Sequence, residues 1–123
     1  MIEIGLEYTT EKRVEKELLA LNMGSGDLPV LATPALVAVS ENAAMLAVAP
    51  YLEEGDTTVG GQINLKHLRP TPQGAVFKAT ATLIEIDRKK LVFEITALDN
   101  KGEIGRGTHT RFIVNKKAFL EHI

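Results

Sequence analysis

The chain contains no cysteine. Disulfides, thiol nucleophiles and cysteine-ligated metals are therefore excluded. Histidine is scarce too. His67, His109 and His122 show neither the H-x3-H nor the HExxH spacing that offers two imidazoles to one ion, so no metal site is expected. No basic stripe runs along the sequence, and a formal net charge of -2 gives no electrostatic case for nucleic acid. The opening Met1-Ile2-Glu3-Ile4 lacks a basic segment followed by an apolar run, so no secretory signal is expected. No apolar stretch reaches the roughly 20 residues needed to span a bilayer. Internal repeats, low-complexity tracts and linkers are absent as well. With 123 residues, 45% of them hydrophobic, one compact cytoplasmic domain over residues 1–123 is the expectation, without nucleic-acid or membrane partners.

Against these absences one segment stands out, running from Thr33 to Pro50 and almost entirely apolar. Thr33 suits an N-cap, Pro34 the first helical position, and Pro50 marks a stop. A helix apolar on nearly every side belongs inside a fold, wrapped by other elements. Glu41 sits in its middle. A carboxylate there is costly unless paired or used, which makes Glu41 the leading candidate for chemistry.

Around this helix the pattern is that of strands. Ile2, Ile4, Leu6 and Tyr8 alternate with Glu3, Gly5 and Glu7, which predicts a strand over 2–8. Residues 10–21 are ambiguous, because Val14, Leu18 and Leu21 repeat at helical spacing before Gly24. Residues 23–29 carry turn chemistry, and Glu53-Glu54-Gly55-Asp56 forms an acidic turn. The second half predicts four long strands in a meander, over 57–68, 75–87, 91–98 and 104–114. Asp99-Asn100-Lys101-Gly102 joins the last two as a hairpin, and Asn115 caps a short closing helix. One long helix beside a five-strand antiparallel sheet that curls around it is an α+β arrangement. Gly60-Gly61, inside the first of the four strands, marks a bulge or a close approach by ligand or backbone.

These features resemble the hot-dog fold, and within it the thioesterases of the fluoroacetyl-CoA thioesterase family. That family has a threonine opening the central helix, a glutamate eight residues on, a histidine twenty-six beyond that and an arginine forty-four further. Thr33, Glu41, His67 and Arg111 occupy those positions here, and Gly60 corresponds to the glycine whose amide approaches the thioester oxygen. Leu31-Ala32-Thr33-Pro34 and His67-Leu68-Arg69-Pro70-Thr71-Pro72 repeat the family's local wording. The likeness covers about residues 24–114. It implies an acyl-CoA substrate, no cofactor beyond the coenzyme A carried by that substrate, and a homodimer, possibly a tetramer, with sites at the subunit interface. The fluoroacetyl-specific branch uses aromatic lid residues before the helix. This chain has no aromatic residue between Tyr8 and Tyr51, so a short or medium acyl-CoA is expected instead.

Each candidate has a functional and an ordinary reading. Glu41 could attack the thioester carbonyl or act as general base, or else be a buried, structurally paired acid. His67 could be a base or orient Glu41, or be a half-exposed strand-end histidine. Thr33 could face the substrate near the helix N-terminus or simply cap it. The amides of Gly60 and Gly61 could form an oxyanion hole, or the pair could kink the strand. Arg111 could grip a carboxylate or CoA phosphate, or be a solvent-facing strand charge. Lys66, Arg69 and Arg106 read chiefly as solvated, and His109 and His122 as structural. A non-catalytic acyl-CoA or acyl-carrier binding module is the alternative to the hydrolase. A hydratase is disfavoured, because no aspartate here is followed by histidine in a D-x4-H pattern.

Overall fold

A computed structural model describes residues 1–123. Its centre is helix α2 (Thr33–Val48), preceded by the four-residue α1 (Ala20–Met23). Against α2 lies one antiparallel sheet of β1 (Glu7–Arg13), β2 (Asp56–His67), β3 (Val76–Asp87), β4 (Lys90–Asp99) and β5 (Gly102–Asn115), and α3 (Lys116–Glu121) closes the chain. The curved sheet wrapped on one long helix is the arrangement that the hot-dog resemblance implies. No helix is long and apolar enough to cross a membrane.

The core divides along α2. Ala35, Leu36 and Val39 pack with Leu31, Phe77, Ala79, Ala97 and Ile104. Two turns on, Ala43, Ala44, Ala47 and Val48 pack with Ala81, Leu83, Leu91, Phe93 and Ile95. Alanines on both surfaces let helix and sheet approach closely, and each enclosed Leu or Phe contributes roughly 1.5–3 kcal/mol by leaving water. The opposite face is less covered. Val37, Glu41 and Met45, four residues apart, are only half-buried, and Ala38 is exposed. Enclosure on every side, expected from composition, is thus corrected: the sheet curls round one side of α2 only.

Strand order is β1-β3-β4-β5-β2. Only β3, β4 and β5 form a meander. β2 lies beyond β5, pairing Gly60 with Arg111 and His67 with Gly105, and this corrects the four-strand meander. The connection after β2 contains Pro70 and Pro72, so it cannot make a tight hairpin. Instead it crosses the sheet end, where Arg69 and Thr71 both donate to Asp99 at the close of β4.

β1 also differs from expectation, starting five residues later than the apolar alternation. Gly5 has φ +98°, which breaks the extended run, while Ile2 and Leu6 tuck against the second core cluster. The strand proper is polar because it is an edge strand, held by pairs such as Tyr8 with Ala81 and by a hydroxyl contact between Thr9 and Thr80. The helical spacing over 14–21 resolves into a 3-10 turn, Lys16–Leu18, and α1, with Leu21 exposed.

Candidate active site

Two polar centres flank α2. At its start, Ala32 occupies the N-cap position and Thr33 is already helical, with no side-chain cap bond. The capping role expected of Thr33 is therefore corrected. Its hydroxyl lies 2.8 Å from Nδ1 of His67, the last residue of β2. The other imidazole nitrogen, Nε2, is buried and has no hydrogen-bond partner. Burial lowers the His67 pKa below its ordinary 6.5, so the ring is neutral at neutral pH. Beside the pair opens a cleft of about 280 Å³, lined by Ala20, Val30, Leu31, Thr33, His67 and Arg69 among others. A neutral imidazole with one nitrogen engaged and the other bare is equipped to take or relay a proton.

Glu41 belongs to the second centre. Eight residues beyond Thr33 on the same helix, it is displaced by about 12 Å along the axis. A side chain at Gly60 would find three neighbours at once. Its Cβ would stand 3.3 Å from His109 Cε1, 3.4 Å from Glu41 Oε2 and 3.5 Å from Arg111 Nη1. Glycine at this position therefore leaves room for carboxylate, imidazole and guanidinium to converge. Within one protomer, then, Glu41 borders the space over Gly60 together with His109 and Arg111, without a hydrogen bond or ion pair to either, and makes none to His67.

Arg111 is only 7% exposed, which corrects its reading as a solvent-facing charge. Nε donates to Thr58 Oγ1 at 2.8 Å, Nη2 to the Thr58 carbonyl at 2.9 Å, and Nη1 approaches His109 Nε2 at 3.1 Å. Burial lowers the Arg111 pKa while the Glu41 charge opposes that shift. Gly60 and Gly61 part company. The ladder shifts register between Gly60 and Gln62, and a Cβ on Gly61 would collide with the Phe112 ring on the outer face. Of the remaining cations, Arg69 is paired with Asp99 and Arg106 with Glu103, while Lys66 is exposed. No three His, Asp or Glu side chains are grouped as a metal would require.

His109 is the group that sequence reasoning missed. It is 1% exposed, and burial, helped by the Arg111 charge and opposed by the Gln62 carbonyl bond and the Glu41 charge, lowers its pKa below 6.5. The available signal was the two-residue period of β5, which puts His109 and Arg111 on one face with Gly105. That face is the inner one, since a Cβ on Gly105 would touch Leu36 of α2.

The family model described as fluoroacetyl-CoA-specific thioesterase matches residues 14–117. The chain belongs to that family. It is 37% identical over 90 residues to the fluoroacetyl-CoA thioesterase of Streptantibioticus cattleyicolor, covering 73% of this chain. The match spans 65% of that relative's length, just under two thirds. A variant fluoroacetyl-CoA thioesterase solved with acetyl-CoA superposes with a TM-score of 0.92 at 28% identity, over 98% of this chain and 96% of that one. A thioesterase superfamily member from Thermus thermophilus gives 0.92 at 25% identity, over 99% and 90%.

Proposed function

We propose that this chain hydrolyses short- or medium-chain acyl-CoA thioesters to the free acid and coenzyme A. The supporting observation is the Thr33–His67 pair, which lines a small cleft and whose buried imidazole Nε2 has no hydrogen-bond partner. Family membership and a neighbour that holds acetyl-CoA favour this chemistry over a non-catalytic binding module. Ala20, Val30 and Leu31 give the cleft an aliphatic lining for a plain acyl chain, alongside the polar Ser25, Thr33, His67 and Arg69.

The full site is composed of two copies of the chain. A carboxylate two helical turns from the imidazole cannot reach it within one protomer, whereas a two-fold assembly can bring Glu41 of one subunit to His67 of the other. Two features suit such a partner: the unpaired twelve-residue edge of β2, and the half-open apolar stripe of Val37 and Met45 beside Glu41. In this assembly Glu41 drives attack on the thioester carbonyl, either by adding to it as an anhydride-forming nucleophile or by deprotonating water. His67 serves as base or as orienting partner, and Thr33 fixes its ring. The departing thiolate is a good leaving group and makes little demand on a general acid.

Thiol release from acetyl- through octanoyl-CoA, measured for the protein and for Glu41→Gln, tests this reading. Hydrolysis of at least one thioester is expected, with kcat falling by roughly a hundredfold or more in the variant while KM stays within about tenfold. Undiminished turnover in Glu41→Gln, or no hydrolysis of any thioester by the unaltered protein, overturns it.

A further inference from the structure

His109 takes no direct part in the proposed reaction, yet its surroundings are fully specified. Nδ1 lies 2.8 Å from the Gln62 carbonyl oxygen and Nε2 lies 3.1 Å from Arg111 Nη1. A carbonyl only accepts and a guanidinium only donates. Nδ1 must therefore carry the proton and Nε2 must offer its lone pair. Only the neutral Nδ1–H tautomer satisfies both neighbours; a second proton would point an N–H at an N–H.

This bond completes the clamp on Arg111. Nε and Nη2 are held by Thr58, which fixes one side of the guanidinium plane. His109 holds one hydrogen of Nη1, so the other is directed elsewhere. The space in front of Nη1 is the empty side-chain position of Gly60, and Glu41 Oε2 borders the same space. The groups around His109 are Glu41 from α2, Arg111 from its own strand, Gln62 from β2, and the Phe93 ring of β4 at 6.5 Å between centroids. Glu41 and Arg111 are the charged ones.

We infer that His109 is a positioning residue, whose neutral Nε2 locks the Arg111 guanidinium so that Nη1 faces the Glu41 carboxylate across Gly60. The inference rests on the reading that Glu41 drives thioester attack, and it adds the device that holds a fixed positive charge facing the carboxylate. Losing the acceptor leaves a buried Nη1 donor without its partner and the planar guanidinium held from the Thr58 side alone.

Two substitutions in the full chain test it. His109→Leu removes the acceptor at similar bulk, and His109→Gln places an amide oxygen near the position of Nε2. His109→Leu is expected to lower kcat for acyl-CoA hydrolysis by roughly 10- to 30-fold with KM within about threefold, and His109→Gln to restore kcat to within about threefold of the unaltered protein. Long-range 1H–15N correlation spectra of the unaltered protein should show the Nδ1–H tautomer at neutral pH. Undiminished kcat in His109→Leu, failure of His109→Gln to restore turnover in a folded protein, or an Nε2–H tautomer would each overturn the inference. If His109→Leu does not fold, the glutamine variant and the spectrum decide. Loss of activity in Glu41→Gln with none in His109→Leu removes this inference alone, whereas full activity in Glu41→Gln removes the reading beneath it.

Discussion

Replacing Gly60 by alanine separates the catalytic from the structural demand on β2. The backbone there lies outside the left-handed region, so alanine is conformationally allowed. Restricting the unfolded chain stabilises the protein by about 0.4–1 kcal/mol. Against this, the new methyl meets His109 Cε1 at 3.3 Å and forces a shift of a few tenths of an ångström, while its contacts with Glu41 and Arg111 are ordinary. The two effects are of similar size and opposite sign, so the melting temperature should move by no more than about 4 °C. Activity should respond far more. The methyl enters the space that Oε2 of Glu41 and Nη1 of Arg111 both border without bonding to each other, and fills the gap through which the Arg111 charge acts on the carboxylate. A loss of roughly tenfold or more in kcat/KM is expected. Gly61→Ala is the matched control. Its methyl would sit 2.5 Å from Phe112, but that ring is 38% exposed on the outer face and can swing outward. Thiol-release kinetics and thermal melts on both variants decide the matter. Full activity in Gly60→Ala, or an equal loss in Gly61→Ala, would refute the assignment of the inner face to Glu41 and Arg111.

Three further outcomes follow from the same structure. His67 and His109 both titrate below 6.5 when folded, so the unfolded chain binds protons first on acidification. Stability present above pH 6.5 is therefore lost as pH falls through their folded values; urea midpoints from pH 8 to 5 should decline, less steeply in His109→Gln, and a rise would contradict this. A Cβ on Gly107 would stand 1.9 Å from the Asn64 carbonyl oxygen, so Gly107→Ala must part β2 from β5 and should cost more than about 3 kcal/mol in chemical denaturation. A near-native midpoint would show that the ladder yields more easily. Burial alone would raise the Asp99 pKa, but bonds from Arg69, the Lys101 amide and Thr71 hold it below its ordinary value. Asp99→Ala should lower stability by about 2–4 kcal/mol, and unchanged thermal unfolding would show that the loop after β2 is held some other way.

The strands β3, β4 and β5 were legible because each presents one face to the core, so Phe77, Ala79, Ala81 and Leu83 alternate with polar residues. β1 was not, since an edge strand with little buried surface carries no such alternation, and the apolar residues before it pack as a tail. Strand order was hidden as well. The tie between the post-β2 loop and Asp99 is a contact across some thirty residues that no local pattern announces. At the site, Thr33, His67, Glu41 and Gly60 were singled out by their match to the family's spacing, which says nothing of how they group. Helical pitch alone places Glu41 far from the imidazole that Thr33 touches. His109 was overlooked because an isolated strand histidine says nothing until its neighbours Gln62 and Arg111 are known.

The central claim is that each site joins His67 of one subunit to Glu41 of another, and mixed dimers test it directly. Glu41→Gln and His67→Ala chains, each inactive alone, are unfolded together, refolded and assayed for acyl-CoA hydrolysis. Random pairing makes about half the dimers mixed, and each mixed dimer keeps one intact site of two, so activity should return to about a quarter of the unaltered protein's. A mixture as inactive as its components would contradict the account.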